Sequence, residues 1–333
     1  MKKVRVLPFL LSLSPVLFTF FFSFNTWMSG ETTDPTSTPD TTAVVLETAP
    51  IAPLSIETLP LDVPKESVAD LDGLQDQDLQ AKLDKILRSN SRWAALAKNK
   101  ALSIGIVDMH DPMNSHFAAI NPDNMVYAAS LPKIAVLLAS EEAIQEGRIK
   151  ETAEVKADMR MMIAKSSNSA ATRMIDRVGL KNIGQVMQDP CYNLYDKENG
   201  GGLWVGKAYG RGNGRIGDPI KNLSHAASVK QVCKYYYMLA FGQLVNPERS
   251  KDMLSLLVDP ELHHKFVSVL DRVAPNAKVY RKSGTWETWH ADSALVWDKD
   301  RRYIVVALAE DAAGETMLRE LMLKIDTALV SKG

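Results

Sequence analysis

Cysteine is almost absent from this chain of 333 residues, which contains only Cys191 and Cys233. Two cysteines exclude a small scaffold held together by several disulfide bonds. The sequence leaves open whether they form one disulfide or remain two buried thiols. The six histidines are scattered, include no HExxH pattern and accompany no cysteine cluster. We therefore expect no metal site, and no pattern in the sequence requires a cofactor.

The chain also lacks an excess of charge of either sign. Lys and Arg together number 39, Asp and Glu together number 40, and the formal net charge is −1. This balance excludes the basic footprint of a protein that binds nucleic acid. With 46% hydrophobic and 24% charged residues, the composition is that of a soluble globular protein. The length suffices for one large domain or two smaller ones.

The N-terminus differs in composition from everything after it. Three cations within the first five residues precede an apolar stretch over 7–24. This pattern predicts a signal peptide or an uncleaved N-terminal membrane anchor over residues 1–28. No small-x-small cleavage site follows Phe24, which slightly favours the anchor. In both cases the rest of the chain is exported, and we expect a periplasmic or otherwise extracytoplasmic protein, either secreted or tethered to the inner membrane.

The remainder divides into a linker and a folded part. Residues 29–67 are rich in Thr, Pro and Ser, a composition that predicts a disordered linker. Residues 68–333 are predicted to form the globular domain. Strand patterns near both of its ends flank a mostly helical stretch. We expect an α/β layer built from about 68–129 and 274–333, with an all-helical insert over about 130–273.

The segment AASLPKIAVLLA, residues 128–139, places a serine and a lysine at the start of an apolar helix. Ser130 is predicted to be the N-cap, with Pro132 in the first turn. Lys133 stands where a capping box would have Glu or Gln, and its charge opposes the helix dipole. One helical turn would bring Lys133 Nζ to Ser130 Oγ, and apolar neighbours would lower the lysine pKa toward that of a usable base. A neutral amine there could take the serine proton.

Two further polar motifs follow this SxxK motif: SxN at 166–168 and KSGT at 282–285. Taken alone, each motif has a structural explanation: a capped helix for SxxK, a helix break for SxN, and a strand with a bulge at Gly284 for KSGT. Together and in this order they are the signature set of serine enzymes that recognise penicillin. The chain resembles the class A β-lactamases and the penicillin-binding DD-peptidases from about residue 79 to the C-terminus.

The resemblance implies four catalytic residues. Ser130 would be the acylated nucleophile and Lys133 its general base. Ser166 would pass a proton to the departing nitrogen. The backbone N–H groups of Ser130 and Thr285 would form the oxyanion hole, in which one donor is typically worth about 3–4 kcal/mol.

The resemblance also implies a substrate-binding set on the other two motifs. Asn168 would hold the substrate amide, and Lys282 would attract the substrate carboxylate. Ser283, with Thr285, would donate hydroxyl hydrogen bonds. Gly284 lies on a strand edge along which a peptide or a β-lactam could align. The implied fold is an antiparallel sheet with flanking helices plus the inserted helical part.

One part of the family pattern is missing. Class A β-lactamases carry a Glu on a loop that activates the deacylating water, whereas this chain has no carboxylate between Glu198 and Asp218. Lys207, Tyr209 or Arg211 could line the cleft there, but none has an assignable deacylating role. Because a general base usually contributes about 10²–10⁴-fold, we expect the acyl-enzyme to persist.

The sequence thus predicts an exported serine hydrolase that acts on β-lactams or on D-Ala-D-Ala-like peptides of the cell wall. A DD-peptidase is one alternative, and a covalent β-lactam sensor that does not hydrolyse its ligand is another. A catalytically inactive wall-binding module is the weakest hypothesis, because it would make the complete motif set accidental. We expect a monomer that takes small substrates and associates with the inner membrane, if at all, through its N-terminus.

Overall fold

The computed structural model describes residues 56–210 and 214–330. In chain order the helices and strands are α1 (Gln77–Arg88), α2 (Ser91–Lys98), β1 (Leu102–Asp108), β2 (His116–Ile120), β3 (Val126–Tyr127), α3 (Lys133–Gln145), α4 (Ala153–Ala164), α5 (Asn168–Val178), α6 (Leu180–Gln188), β4 (Tyr195–Asp196), β5 (Gly201–Gly202), β6 (Trp204–Val205), β7 (His225–Ala227), α7 (Val229–Ala240), α8 (Pro247–Leu257), α9 (Phe266–Val273), β8 (Lys278–Trp286), β9 (Trp289–Trp297), β10 (Arg302–Glu310) and α10 (Gly314–Val330).

Strands from both ends of the chain form the main sheet, as the sequence predicts. Its five strands are antiparallel and follow the order β2-β1-β10-β9-β8. β1 lies beside β10 although about 200 residues separate them in the chain, so strands from the early and the late part of the domain form one sheet. β8, which carries the KSGT motif, is an edge strand.

The sheet is buried on both faces, and β10 shows why the sequence produces this. Ile304 and Val306 belong to one hydrophobic core, whereas Val305 and Ala307 belong to the other. Successive strand residues point to opposite faces, so a continuous run of Ile, Val and Ala can fill two cores. Helices α1, α2, α9 and α10 cover one face, and α7 with the helical region covers the other.

Helix α3 lies at the centre of the helical region, in contact with α4, α5, α6 and α8. Residues from Lys133 to Ser140 are all buried. A helix that is apolar on every side belongs inside a protein, and its position brings its first turn beneath the end of β8.

The predicted helical insert is not purely helical. It contains short strands, with β4 paired to β5 and β7 lying between β3 and β6. The glycine-rich segment explains the difference, because Gly201 has φ +83° and lies where a Cβ would meet the side chain of Met125. Glycine tolerates both the left-handed backbone and the close approach, and the left-handed backbone is incompatible with a right-handed α-helix.

Part of the predicted linker, residues 56–63, packs against the domain. Leu61 is buried and its N–H donates to Ala240 O at 2.8 Å. Trp297 Nε1 donates to Ile56 O at 2.9 Å. The spaced apolar residues in this stretch bury surface despite the prolines around them. The predicted signal or anchor (1–28) and residues 29–55 of the predicted linker lie outside the described residues, among which no helix is long and apolar enough to cross a membrane.

The cysteines fit neither of the two alternatives. Both are free thiols: Cys191 is exposed and Cys233 is buried. Burial raises the pKa of the Cys233 thiol, as expected for an inert core cysteine.

Candidate active site

Ser130 lies in a turn directly before α3, not at the capping position that the sequence predicts. The helix begins at Lys133, Pro132 occupies the N-cap, and no side chain caps the helix. The Ser130 carbonyl accepts from the Lys133 N–H at 3.3 Å. Its hydroxyl instead faces Lys133 Nζ, with 3.1 Å between Oγ and Nζ. The serine therefore keeps its side chain free of the helix end and next to an amine.

Lys133 is fully buried, and oxygen atoms of three residues surround its amine. Nζ donates to Ser166 O at 2.6 Å and to Asn168 Oδ1 at 2.8 Å. No carboxylate of the described chain contacts it. Burial lowers the pKa of Lys133 to about 7, because a charge without a counter-charge is costly away from water. A neutral amine has two N–H groups and one lone pair, so these two oxygens can take both hydrogens and leave the lone pair for Ser130.

Ser166 connects the two lysines of the site. It ends the break between α4 and α5 with a left-handed backbone, φ +55°, a conformation that is strained for a residue with a side chain. Lys282 Nζ donates to Ser166 Oγ at 2.9 Å, and Lys133 Nζ lies 3.3 Å from the same oxygen. The hydroxyl is thus placed to exchange protons with either amine.

Asn168 is the first residue of α5, whose N-cap is Ser167. The structural interpretation of the SxN motif as a helix break is therefore also correct. Because Asn168 Oδ1 accepts from Lys133, its Nδ2 group is the part left for a substrate. Asn168 also lines the cleft beside Ser130, so it can hold the lysine and a ligand at once.

Lys282 is buried on β8 and donates to Ser283 O as well as to Ser166. Its pKa is held well below the usual value, first by burial and then by repulsion from Lys133 and Arg281. Since side chains alternate across a strand, Lys282 and Gly284 face α3, whereas Ser283 and Thr285 lie on the other face. Ser283 is buried, and Thr285 is exposed at the cleft.

Gly284 sets the distance between β8 and the turn that carries Ser130. Its pairing with Ala291 continues the regular register, so the bulge considered from the sequence is absent. A Cβ at this position would overlap Ala128 O and lie 2.8 Å from Ser130 N. Glycine is therefore required by close backbone approach. That approach brings together the two backbone segments whose N–H groups, from Ser130 and Thr285, are the predicted oxyanion donors.

These residues open into a cleft of about 290 Å³. Hereafter "the cleft" means the space lined by Tyr127, Ala129, Ser130, Asn168, Lys207, Ala208, Tyr209, Gly210, Ser224, His225, Thr285 and Trp286. No carboxylate is among these lining residues. Of the three residues considered for the missing loop function, Lys207 and Tyr209 line the cleft, and Arg211 lies outside the described residues.

Tyr209 and His225 form a neutral wall opposite β8. Their rings are in contact, with centroids 4.2 Å apart and planes tilted by 37°, and the Tyr209 ring centroid lies 4.4 Å from Lys133 Nζ. His225 Nε2 donates to Lys207 O at 2.9 Å, because a carbonyl can only accept. Nδ1 therefore accepts from Ser224 Oγ at 3.1 Å. Burial lowers the pKa of His225 to about 4, so the ring is uncharged at neutral pH.

Asp218, the carboxylate that ends the glycine-rich segment, is used for structure. It accepts from Tyr195 OH at 3.0 Å and from the N–H groups of Ile220 and Lys221, each at 2.9 Å. A carboxylate with these donors closes a turn and is not available to activate a water molecule in the cleft.

Sequence reasoning missed Lys265, a buried lysine in the loop before α9. Its Nζ donates to Gly284 O and to Thr285 Oγ1. The neighbouring His263 and His264 lie in the same loop; His263 is exposed and His264 half-buried. A lysine before an apolar helix carries no local signal that separates it from a solvated lysine.

Comparisons with known proteins identify the family and the fold of this chain. The model of the β-lactamase enzyme family matches residues 153–332. Three similar solved structures are a β-lactamase from Sphaerobacter thermophilus DSM 20745 (17% identity, TM-score 0.57, covering 71% of this chain and 95% of that one), a PBP-A variant in an acyl-enzyme complex with penicillin G (16%, 0.56, 76% and 97%), and the class A β-lactamase of the last common ancestor of Gram-negative bacteria (15%, 0.56, 74% and 99%).

No protein with a curated description matches the sequence. At these identities the solved structures establish the fold, and the family model covers more than half of the chain. With the SxxK, SxN and KSGT residues gathered around one cleft, the chain belongs to the β-lactamase enzyme family.

Proposed function

We propose that this protein is an exported serine hydrolase that forms an acyl-enzyme on Ser130 with β-lactams or D-Ala-D-Ala-like peptides and releases the acyl group slowly. The observation that carries the proposal is the hydrogen-bonded chain Ser130–Lys133–Ser166–Lys282. These four side chains join a hydroxyl nucleophile to an amine whose pKa is near neutrality. Such an arrangement activates a nucleophile without a metal ion.

Acylation proceeds by proton transfers along this chain. Neutral Lys133 takes the proton from Ser130 Oγ as the oxygen attacks the carbonyl carbon. The negative charge that develops on the carbonyl oxygen is stabilised by the N–H groups of Ser130 and Thr285. When the carbon–nitrogen bond breaks, Ser166 gives its proton to the nitrogen and is reprotonated from Lys133, which returns to its neutral form. Lys282 provides positive potential for the substrate carboxylate.

Deacylation has no equivalent support. A water molecule that attacks the ester must lose a proton, and the wall of Tyr209 and His225 offers neutral, already hydrogen-bonded groups. The tyrosine pKa is raised by burial, and the histidine pKa is lowered. Lys133, whose Nζ lies 3.1 Å from Ser130 Oγ, is the amine next to the ester and would have to perform a second role in deacylation. A persistent acyl-enzyme follows, which favours a DD-peptidase or a covalent sensor over a fast β-lactamase.

Intact-mass spectrometry after incubation with benzylpenicillin tests the acylation step. We expect one penicilloyl adduct per chain, located by peptide mapping at Ser130, and none in Ser130→Ala. Ser169→Ala is the matched control, because Ser169 is an exposed serine near the site without a role in the chain of contacts. An unmodified wild-type chain, or an adduct retained in Ser130→Ala, would remove the basis of the proposal.

A second assay separates the alternatives. Release of D-alanine from an acyl-D-Ala-D-Ala peptide identifies a DD-peptidase, and turnover of a β-lactam identifies a β-lactamase. A lasting adduct with neither product identifies a sensor. Export is part of the proposal and is supported by the N-terminal sequence pattern. Fractionation of cells that express the full chain tests it, with recovery in the cytoplasm as the contradicting result.

A further inference from the structure

Lys265 is a fully buried cation whose three N–H groups all have partners on the β8–β9 hairpin. Nζ donates to Gly284 O at 2.6 Å, to Thr285 Oγ1 at 2.7 Å and to Ala291 O at 3.1 Å. None of the three acceptors carries a charge. A buried ammonium held only by neutral oxygens loses much of its hydration energy, so hydrophobic packing alone does not explain why a lysine stands here.

The loop that carries Lys265 is fixed from both sides. Arg281 and Asp292 form a buried two-pronged ion pair, with Nε and a terminal nitrogen of Arg281 at 2.7 and 2.9 Å from the carboxylate oxygens. Arg281 also donates to His264 O at 3.3 Å, and Asp292 accepts from Phe266 N at 3.1 Å. The residues before and after Lys265 are thus held to the sheet. The lysine itself has a left-handed backbone, φ +52°, which such fixed neighbours can maintain.

The acceptor that matters is Gly284 O, because it belongs to the same peptide group as the Thr285 N–H. In a trans peptide the C=O and N–H point in opposite directions. A cation that donates to the carbonyl oxygen draws electron density along the conjugated amide and makes the N–H a stronger donor. The peptide is also fixed in place, because Gly284 packs against Ser130 N on the other side.

We propose that Lys265 is a positioning residue of the oxyanion hole, which acts through the Gly284–Thr285 peptide group to strengthen the Thr285 N–H toward the acyl carbonyl oxygen. The hydrogen bond from Lys265 Nζ to Thr285 Oγ1 supports this role. Because an ammonium can only donate, Thr285 Oγ1 accepts from Lys265, and the threonine hydroxyl hydrogen is directed elsewhere, at the rim of the cleft. The inference rests on the proposed acylation of Ser130.

The test compares Lys265→Met with Lys265→Gln in the otherwise intact protein. Methionine keeps most of the volume without charge, and glutamine keeps an N–H donor without charge. Removing an oxyanion donor outright costs about 10²–10³-fold in rate, so loss of this support should slow acylation by benzylpenicillin less, about 10-fold to 100-fold. Lys230→Met is the control, because it removes a partly buried lysine paired with Asp72 and Asp123, away from the cleft.

The decisive readout is the infrared stretching frequency of the acyl carbonyl in the penicilloyl-enzyme, which falls as hydrogen bonds to its oxygen strengthen. We expect a higher frequency in Lys265→Met and Lys265→Gln than in wild type and Lys230→Met. A merely structural lysine would change thermal stability without moving this frequency in folded molecules. Should Lys265→Met fail to fold, Lys265→Gln carries the comparison, because its polar side chain suits the polar site while the positive charge beside Gly284 O is removed.

A carboxylate-free thioester substrate distinguishes this role from direct contact with the substrate carboxylate. Action through the oxyanion hole slows acylation by both the thioester and benzylpenicillin, whereas a carboxylate contact slows only benzylpenicillin. Wild-type rates and an unchanged carbonyl frequency in the two variants would overturn the inference and leave the proposed function intact. A wild-type protein that forms no adduct would overturn the proposed function itself, and the inference with it.

Discussion

The two walls of the cleft differ in the kind of group they present. One wall is formed by the start of α3 with the turn before it, the α4–α5 break and β8. It carries Ser130, Lys133, Ser166 and Lys282, connected by hydrogen bonds of 2.9–3.3 Å. The opposite wall carries Tyr209 and His225, both neutral and both already hydrogen-bonded. The first wall can move protons and the second cannot easily do so. Under the proposed function, the first wall would form the acyl-enzyme, whereas the second wall offers no group that would help to hydrolyse it.

The largest expected effect comes from removing the general base of the first wall, Lys133. Lys133→Ala should slow acylation by benzylpenicillin about 10²–10⁴-fold, the usual contribution of a general base. Quantitative mass spectrometry of the adduct over time measures it. Lys165→Ala is the control, because Lys165 lies at the same helix break with its side chain half exposed and paired with Glu261. Equal acylation rates in Lys133→Ala and wild type would show that another group takes the serine proton.

The next effect uses pH without any mutation. Lys133 acts as a base only in its neutral form, and its pKa is lowered to about 7. Below pH 7 the amine becomes protonated, so the acylation rate should fall about 50-fold between pH 7 and pH 5 and approach a tenfold fall per pH unit at the acidic end. Above pH 7 the rate should level off. A rate of adduct formation that stays constant from pH 5 to pH 8 would contradict the assignment of Lys133.

A smaller effect concerns the fit between β8 and the Ser130 turn. Gly284→Ala adds a methyl group where Ala128 O and Ser130 N leave no space. We expect acylation to slow by about 10-fold to 50-fold as the oxyanion donors separate, and stability to fall by about 1–3 kcal/mol through overpacking. Urea denaturation and the adduct assay measure the two quantities.

Gly73→Ala is the matched control for this substitution. Gly73 has no neighbour within 4 Å of the Cβ position and no left-handed backbone, so the substitution should leave both quantities unchanged. If Gly284→Ala were as benign as Gly73→Ala, the strand would not set the geometry of the oxyanion hole.

The smallest expected effect is a faster decay of the adduct after a substitution in the second wall. Tyr209→Glu places a carboxylate near Lys133 Nζ, which now faces the tyrosine ring at 4.4 Å. We expect the adduct to decay faster, by about tenfold, within the range of a general base that is not perfectly placed. Tyr209→Gln has the same shape without the charge and should not speed the decay. Equal decay in the two variants would mean that the wall does not limit deacylation.

The motifs indicate which side chains form the first wall, because each motif places its polar residues within four consecutive positions of the sequence. Ser130 and Lys133 are one turn apart, Asn168 lies two residues after Ser166, and the structure gathers these residues around one cleft. The strand pattern near both ends of the chain likewise predicts the sheet, because periodicity reports burial directly.

The remaining features depend on long-range contacts that no local pattern records. Lys265 acts on β8 from a loop whose position is set by Arg281 and Asp292, and a single lysine before a helix does not reveal this. Ser130 has the residue type of an N-cap, and only the contact between its hydroxyl and Lys133 Nζ shows that the hydroxyl does not cap the helix. The segment 56–67 resembles a linker in composition, yet Leu61 is buried and its N–H donates to Ala240 O at the end of α7.

Fast acylation followed by slow release of the acyl group is tested most directly by a rapid-mixing time course with a chromogenic cephalosporin in molar excess over the protein. We expect a fast burst of product equal to one equivalent of protein and then a much slower steady phase, because Lys133 supports acylation of Ser130 whereas Tyr209 and His225 do not support hydrolysis of the ester. A linear course from the first turnover, with no burst and no accumulated adduct, would contradict it.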